Sequence, residues 1–136
     1  MALACASHDT APMTLSHLTL GSVILTFLMI MTASSFRTRL NPKIATGNRD
    51  DLPPTTPASA RADRAAANML ENLLLFVALV VAVGGRNPAR AELGAEIFLI
   101  ARIIYWPIYL LGIPVVRTLV WTVGAVGLAI LGSAAI

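Results

Sequence analysis

The run TAPMTLSHLTLGSVILTFLMIMTASSF extends from Thr10 to Phe36 without a lysine, arginine, aspartate or glutamate. A second uncharged run, TLVWTVGAVGLAILGSAAI, extends from Thr118 to Ile136. A helix of about 20 mostly apolar residues is long enough to cross the hydrocarbon core of a bilayer. The two runs therefore predict an integral membrane protein whose spans are helices.

The composition of the 136-residue chain supports a membrane protein. Hydrophobic residues make up 57% of it and charged residues only 12%, whereas about a quarter of the residues in soluble domains are charged. The net charge of +3 is not concentrated in a basic cluster and no nucleic-acid-reading motif is present, so we expect no nucleic-acid partner. The single cysteine, Cys5, allows neither an intrachain disulfide nor a thiolate metal site, and we expect no metal.

Turn signals divide the chain into four predicted membrane helices. Asn41-Pro42 and Pro53-Pro54 indicate a long loop, and the GGRNP and GIP motifs indicate two short connections. The first helix has no basic residue before it, so we interpret it as a retained helix rather than a signal peptide. The predicted fold is an all-α bundle of four transmembrane helices in one domain, residues 1–136, with helices at about 14–36, 61–83, 91–111 and 115–134 and a loop at 37–60.

Basic residues near the ends of the spans predict the orientation. The 37–60 loop contains Arg37, Arg39, Lys43 and Arg49, whereas no basic residue precedes the first helix. Lysine and arginine close to span ends favour the cytoplasm. We therefore expect a cytoplasmic loop and a location in the cell inner membrane, with both termini away from the cytoplasm.

Among the charges inside or at the edges of the predicted spans, four call for an explanation: Arg64, Glu71, Arg102 and Arg117. A charge at the centre of a membrane helix costs about 2.5–3.5 kcal/mol, so each should face protein or water and find a partner. The simplest arrangement is a polar layer in which Glu71 accepts from one arginine while the other arginines bind an anion. The alternative is a buried ion-pair network that fixes helix register and binds no ligand.

Spacing adds uncharged polar side chains to this layer. Asn68 lies four residues after Arg64 and three before Glu71, which places the three on one face of the second helix. Tyr105 and Tyr109 follow the arginine of the third helix at spacings of three and then four residues. The tyrosines are therefore predicted to share the face of that arginine.

These residues resemble a known pattern. The stretch RAAANMLEN, residues 64–72, resembles the second-helix signature of the MAPEG family (membrane-associated proteins in eicosanoid and glutathione metabolism), in which Arg, Asn and Glu recur at this spacing. ARIIYWPIY, residues 101–109, resembles the family's third-helix Arg-x-x-Tyr-x-x-x-Tyr pattern. The GRNP turn and Arg117 follow in the expected order, and the resemblance, to a bacterial-type member, covers roughly residues 48–121.

The resemblance implies a four-helix subunit that assembles as a homotrimer and binds glutathione between neighbouring subunits near the cytoplasmic face. Arg117 matches the arginine that stabilises the thiolate, and Arg102 would add positive field or structural pairing, so these two are the predicted catalytic residues. The predicted glutathione-binding residues are Arg64, Asn68, Glu71, Tyr105 and Tyr109.

The chain also departs from the family pattern. Many members have a histidine and a second basic residue where this sequence has Ala66 and Ala67, which removes contacts that eicosanoid-forming members use. Thr118 stands where a serine often follows the arginine and preserves a hydroxyl. Pro107 removes one backbone hydrogen bond from the third helix, so a kink close to Tyr105 is expected.

Two functions from different classes fit the sequence. The first is a glutathione-dependent transferase or peroxidase that acts on lipophilic electrophiles reaching the site from the bilayer. The second is a non-catalytic membrane scaffold whose buried Arg/Glu layer fixes helix packing. A transporter fits less well, because four short spans offer no pair of discontinuous helices of the kind that midplane substrate sites use.

Overall fold

The computed structural model describes residues 14–136, and these residues form five helices. The helices are α1 (Leu15–Thr38), α2 (Pro42–Thr46), α3 (Pro57–Val83), α4 (Pro88–Leu111) and α5 (Pro114–Ser133). All except the short α2 are long and apolar enough to cross a membrane. This confirms the predicted all-α architecture with four membrane-spanning helices; Cys5 and the first residues of the uncharged run lie outside the described part of the chain.

Proline and a capping box explain why α3 begins at Pro57 rather than near Arg61. The Thr56 side chain accepts from the Ser59 backbone N–H at 3.1 Å, and the Ser59 hydroxyl accepts from the Thr56 N–H at 2.9 Å. Proline suits the first turn of a helix because its missing N–H would have no partner within the helix. Pro88 begins α4 and Pro42 begins α2 for the same reason. The short α2 lies inside the segment that was predicted to be a loop.

Successive spans run in opposite directions, so the segment 39–56 joins α1 to α3 on one side of the bundle. We call this the loop side; it also contains the connection between α4 and α5. There the Arg61 Nε donates to the Leu110 carbonyl at 2.9 Å. On the opposite side, the turn side, the Arg86 Nη1 donates to the Ala135 carbonyl at 2.9 Å and ties the α3–α4 turn to the end of the chain.

The tightest helix contact is made by two glycines where α4 crosses α5. A Cβ atom added to Gly94 would lie 2.8 Å from the Gly127 carbonyl oxygen, and one added to Gly127 would lie 2.7 Å from the Phe98 nitrogen. Small residues allow this close approach of backbones, which favours association of helices in lipid. Beside the crossing, Phe98 stacks on Phe76 of α3 with ring centroids 4.8 Å apart, so α4 is fixed on both sides.

We expect Gly127→Ala to destabilise the protein by about 1–3 kcal/mol, because the new methyl group would press on the backbone of α4 rather than on a movable side chain. Gly132→Ala is the matched control, since its Cβ would meet only the tip of Leu79 at 3.3 Å. Unfolding in detergent, followed by loss of helical signal, measures both. Equal midpoints for the two variants would contradict this description of the crossing.

Candidate functional site

Arg102 of α4 is buried in the middle of the bundle and is bound by two asparagines of α3. Its side chain is 1% exposed. The Nη1 atom donates to Asn68 Oδ1 at 3.1 Å and the Nη2 atom donates to Asn72 Oδ1 at 2.8 Å. Both acceptors are neutral amides, so the guanidinium is solvated by dipoles rather than paired with a carboxylate.

The orientation of the Asn72 amide is fixed by a second hydrogen bond. Its Nδ2 donates to the backbone carbonyl of Asn68, one turn earlier, at 2.7 Å. If the amide were rotated by about 180°, its nitrogen would face Arg102 in place of its oxygen. Two hydrogen-bond donors would then oppose each other. Asn72 therefore presents its oxygen to Arg102, and α3 supplies two preorganised acceptors on adjacent turns.

Aromatic rings and a glycine complete the environment of Arg102. The guanidinium carbon lies 5.2 Å from the ring centroid of Phe98 and 5.3 Å from that of Tyr105, within the range of cation–π attraction. On α5, a Cβ at Gly124 would lie 3.3 Å from the arginine Nε, so the absence of a side chain there makes room for the guanidinium. The Nε–H has no hydrogen-bond partner within residues 14–136. Three helices thus meet at one cation.

Within the described protomer, Glu71 is not the hydrogen-bond partner of Arg102. We expected its carboxylate to accept from an arginine, but in the protomer the acceptors of Arg102 are asparagines, and Glu71 is exposed on the outer face of α3. Arg64 is exposed on the same outer face. The predicted common face of these two charges therefore exists, but it points away from the bundle because the inner face of α3 is occupied by buried residues such as Met69 and Phe76.

A second cluster lies between Arg102 and the loop side. The rings of Tyr105 and Tyr109, both buried, pack edge to face with centroids 5.3 Å apart. The guanidinium carbon of Arg117, in the first turn of α5, lies 4.9 Å from the Tyr109 ring centroid. Tyr105 also contacts Arg102, so two arginines and two tyrosines form one continuous row.

The row opens into a cavity of about 230 Å³. Both tyrosines and the half-buried Arg117 line it, together with Thr118 and Trp121. The Thr118 hydroxyl donates to the Pro114 carbonyl at 3.0 Å, so the hydroxyl predicted at this position serves its own helix and keeps only its acceptor capacity for a ligand. The cavity therefore offers one guanidinium and two phenol groups to an anionic or thiol-bearing molecule.

The structure places the predicted site residues in two groups. Asn68 joins Arg102, both tyrosines and Arg117 along the inner row, whereas Arg64 and Glu71 lie outside it.

Sequence reasoning missed Asn72, although it follows Asn68 by one helical turn and both are amides in an apolar helix, which was the available signal. It also left Glu92 and Glu96 out of the charges that need an explanation, although both fall within the predicted helix at 91–111; in the structure both are half-buried in α4.

Replacing Asn72 by leucine leaves one guanidinium hydrogen bond without its acceptor in a dry environment. We expect Asn72→Leu to destabilise the solubilised protein by about 2 kcal/mol, the scale of a hydrogen bond to a charged group. Asn48→Leu, on the exposed loop, is the control and should change the unfolding midpoint little. If both variants unfold like the parent, Arg102 does not depend on Asn72.

Comparison with known proteins gives one match. The MAPEG family model matches residues 16–136, which include all four membrane helices apart from Leu15, the first residue of α1, and every residue of the row. Neither the curated proteins nor the solved structures contain a match to this chain. Since the family match covers nearly the whole of the sequence and the described fold has four membrane helices, the chain belongs to the MAPEG family.

Proposed function

We propose that the protein is a glutathione-dependent transferase or peroxidase that acts on lipophilic electrophiles in the membrane. The observation that supports this most directly is the cavity lined by Tyr105, Tyr109 and Arg117. A guanidinium at the edge of a membrane span is costly unless it has a use or a partner. In this cavity it lies against an aromatic ring and remains accessible to an anion.

The chemistry of a thiol explains the use of that guanidinium. A free thiol has a pKa near 8.5 and is mostly protonated at neutral pH, whereas the thiolate is the nucleophile. A fixed cation beside the sulfur favours the thiolate, as does a hydroxyl that donates to it. In this proposal Arg117 stabilises the glutathione thiolate, and Tyr109 and Tyr105 donate hydrogen bonds to the bound tripeptide.

Arg102 acts at one remove from the thiol in this proposal. Asn68 and Asn72 occupy two of its N–H groups, and its guanidinium packs against the ring of Tyr105. We infer that it positions this tyrosine and adds to the positive field of the cavity. Its predicted catalytic role thereby becomes a positioning role.

The outer face of α3 supplies the other half of the proposed glutathione site. Arg64 suits a glutathione carboxylate and Glu71 suits the ammonium group, yet both lie away from the cavity within one protomer. The two halves would meet if a second copy packed its α3 against α4 and α5. Assembly as a homotrimer, the arrangement that the family resemblance implies, would join them.

The surroundings of Glu71 support such assembly. Its carboxylate borders an apolar groove of about 480 Å³ that also contains Leu70, Leu74 and Val77. Left against lipid, an ionised carboxylate at this depth would be costly, because charged side chains in spans normally face protein or water. A second copy covering the groove would remove the charge from lipid and bury exposed leucine.

In this proposal a lipophilic electrophile reaches the cavity along α5. A second, apolar groove of about 350 Å³ lies on α5 and is lined by Pro114, Val115, Thr118 and Leu119. Thr118 borders both this groove and the cavity. A molecule dissolved in the bilayer would therefore reach the proposed thiolate along an apolar surface, without crossing water.

A non-catalytic scaffold is the second candidate, and the closed network around Arg102 favours it. That guanidinium has protein partners from α3 and needs no ligand to be stabilised. In this alternative the polar layer consists of Arg and Asn rather than Arg and Glu, and it serves only to hold three helices in register. Glutathione binding by the solubilised protein separates the two functions.

Removing the charge at position 117 should abolish the thiolate. We expect solubilised parent protein to show the ultraviolet absorbance of glutathione thiolate at neutral pH, and Arg117→Gln to lose it. Arg90→Gln, at the exposed start of α4 on the turn side, is the matched control and should retain the signal. No binding by the parent at millimolar glutathione would contradict the proposed function.

Mixing two defective variants tests whether neighbouring copies share one site. Arg64→Gln and Arg117→Gln should each bind glutathione poorly when expressed alone. In randomly mixed trimers about one quarter of the sites would combine an intact α3 with an intact α5, so co-expression should restore roughly that share of binding. Absence of recovery, with mixed oligomers demonstrated by mass, would place both halves in the same protomer.

A further inference from the structure

We propose that an anionic phospholipid binds at the loop-side corner where α1 ends and α3 begins. This site lies apart from the cavity of Arg117 and does not depend on the proposed catalytic function. A cavity of about 460 Å³ occupies the corner. It is lined by Ser35, Phe36, Arg39, Leu40, Thr56 and Ala58.

The position of the cavity matches the level of lipid headgroups. α1, whose last residue is Thr38, and α3, whose first residue is Pro57, are both membrane spans that reach the loop side here. Apolar side chains at this level meet acyl chains, and side chains one turn further meet phosphates. A lipid in this corner would thus place its acyl chain against the apolar side chains and its phosphate against Arg39.

The turn that follows α1 leaves the Leu40 side chain exposed beside Phe36. Arg39 and Leu40 both have left-handed conformations, with φ of 52° and 57°. The Leu40 N–H donates to the Ser35 carbonyl at 3.0 Å, which fixes the turn. Leu40 is 80% exposed and Phe36 42% exposed in the protomer. An acyl chain in the corner would cover these two side chains.

Hydrogen bonds distinguish Arg39 from the other basic residues of the corner. Arg37 donates to the Thr55 hydroxyl, and Arg49 donates to the Ser34 hydroxyl at 3.3 Å, so both tie the loop to α1. The Arg39 guanidinium lines the cavity and makes no hydrogen bond to another group in residues 14–136. No acidic residue lines the cavity with it. A lipid phosphate would supply the missing acceptor, in the two-pronged geometry that arginine favours.

Simple attraction between the basic loop and an anionic membrane surface is the competing explanation. That attraction depends on charge alone and would treat neighbouring cations alike. Lys43 provides the comparison, because it is exposed on the same loop but borders a different depression that contains Asp50 and Asp51. A specific site predicts that loss of Arg39 weakens lipid binding more than loss of Lys43. Surface attraction predicts equal effects.

The test measures phosphatidylglycerol and phosphatidylcholine retention by the full chain in detergent, using mass spectrometry of the intact protein. We expect the parent to prefer phosphatidylglycerol and Arg39→Gln to weaken that binding about tenfold, the effect of losing one hydrogen bond between charged groups. Lys43→Gln should stay within about twofold of the parent. Ala58→Leu, which narrows the cavity, should weaken retention of phosphatidylglycerol while leaving every charge in place.

Three results would overturn the proposal. The first is an equal loss in Arg39→Gln and Lys43→Gln, which would indicate surface attraction alone. The second is unchanged binding in Ala58→Leu, which would show that no acyl chain enters the corner. The third is displacement of the lipid by millimolar glycerol phosphate, which would indicate a site for a soluble phosphate.

Discussion

A buried guanidinium in the middle of a membrane helix constrains everything around it. Arg102 is surrounded by α3, α4 and α5, and it has 1% of its surface exposed. A cation at such a depth costs about 2.5–3.5 kcal/mol on insertion scales, and two hydrogen bonds to a charged group together offset a cost of this size. The amide oxygens of Asn68 and Asn72 supply those bonds. The register of α3 against α4 is therefore set by a polar contact inside an apolar bundle.

The same contact orders the candidate site. Arg102 packs against the Tyr105 ring, Tyr105 against Tyr109, and Tyr109 against Arg117. The row thus leads from a fully buried cation, which donates to two amide oxygens, to a half-buried cation that faces a cavity. Arg102 and Arg117 carry the same charge but differ in what they can bind. Arg102 is enclosed by protein, whereas Arg117 lines a cavity that a ligand can enter. On this account the first gives stability and position, and the second is available to a thiolate.

Much of the fold could be predicted from the sequence. Long uncharged runs and the Gly/Pro turn signals give four spans, because the bilayer allows few other solutions. Helix starts were less predictable: a Pro at the first turn, with Thr56 and Ser59 as a capping box, extends α3 by about one turn. The short α2 was missed because five residues are too few to show periodicity.

The site could be predicted only in part. Helical spacing grouped Arg102 with Tyr105 and Tyr109, as they are in the structure. It also grouped Asn68 with Arg64 and Glu71, whereas Asn68 contacts Arg102 and the two charges are exposed, because spacing does not say which face of a helix points inward. Opposite charges suggested a Glu71 partner for an arginine, whereas the bundle uses asparagines, whose neutral amides are easier to bury than a carboxylate. A second amide one turn after Asn68 was a signal for Asn72, but its partner Arg102 is distant in sequence, so the contact itself could not be predicted.

The coupling free energy between Arg102 and Asn72 tests this account most directly. It can be measured from unfolding of the parent, Arg102→Met, Asn72→Leu and the double variant under one set of detergent conditions. The account predicts a coupling of about 1.5–3 kcal/mol, so that Asn72→Leu is nearly harmless once the guanidinium has been removed. Additive effects of the two substitutions, within about 0.5 kcal/mol, would contradict it, because the cation would then be stabilised by something other than these amides.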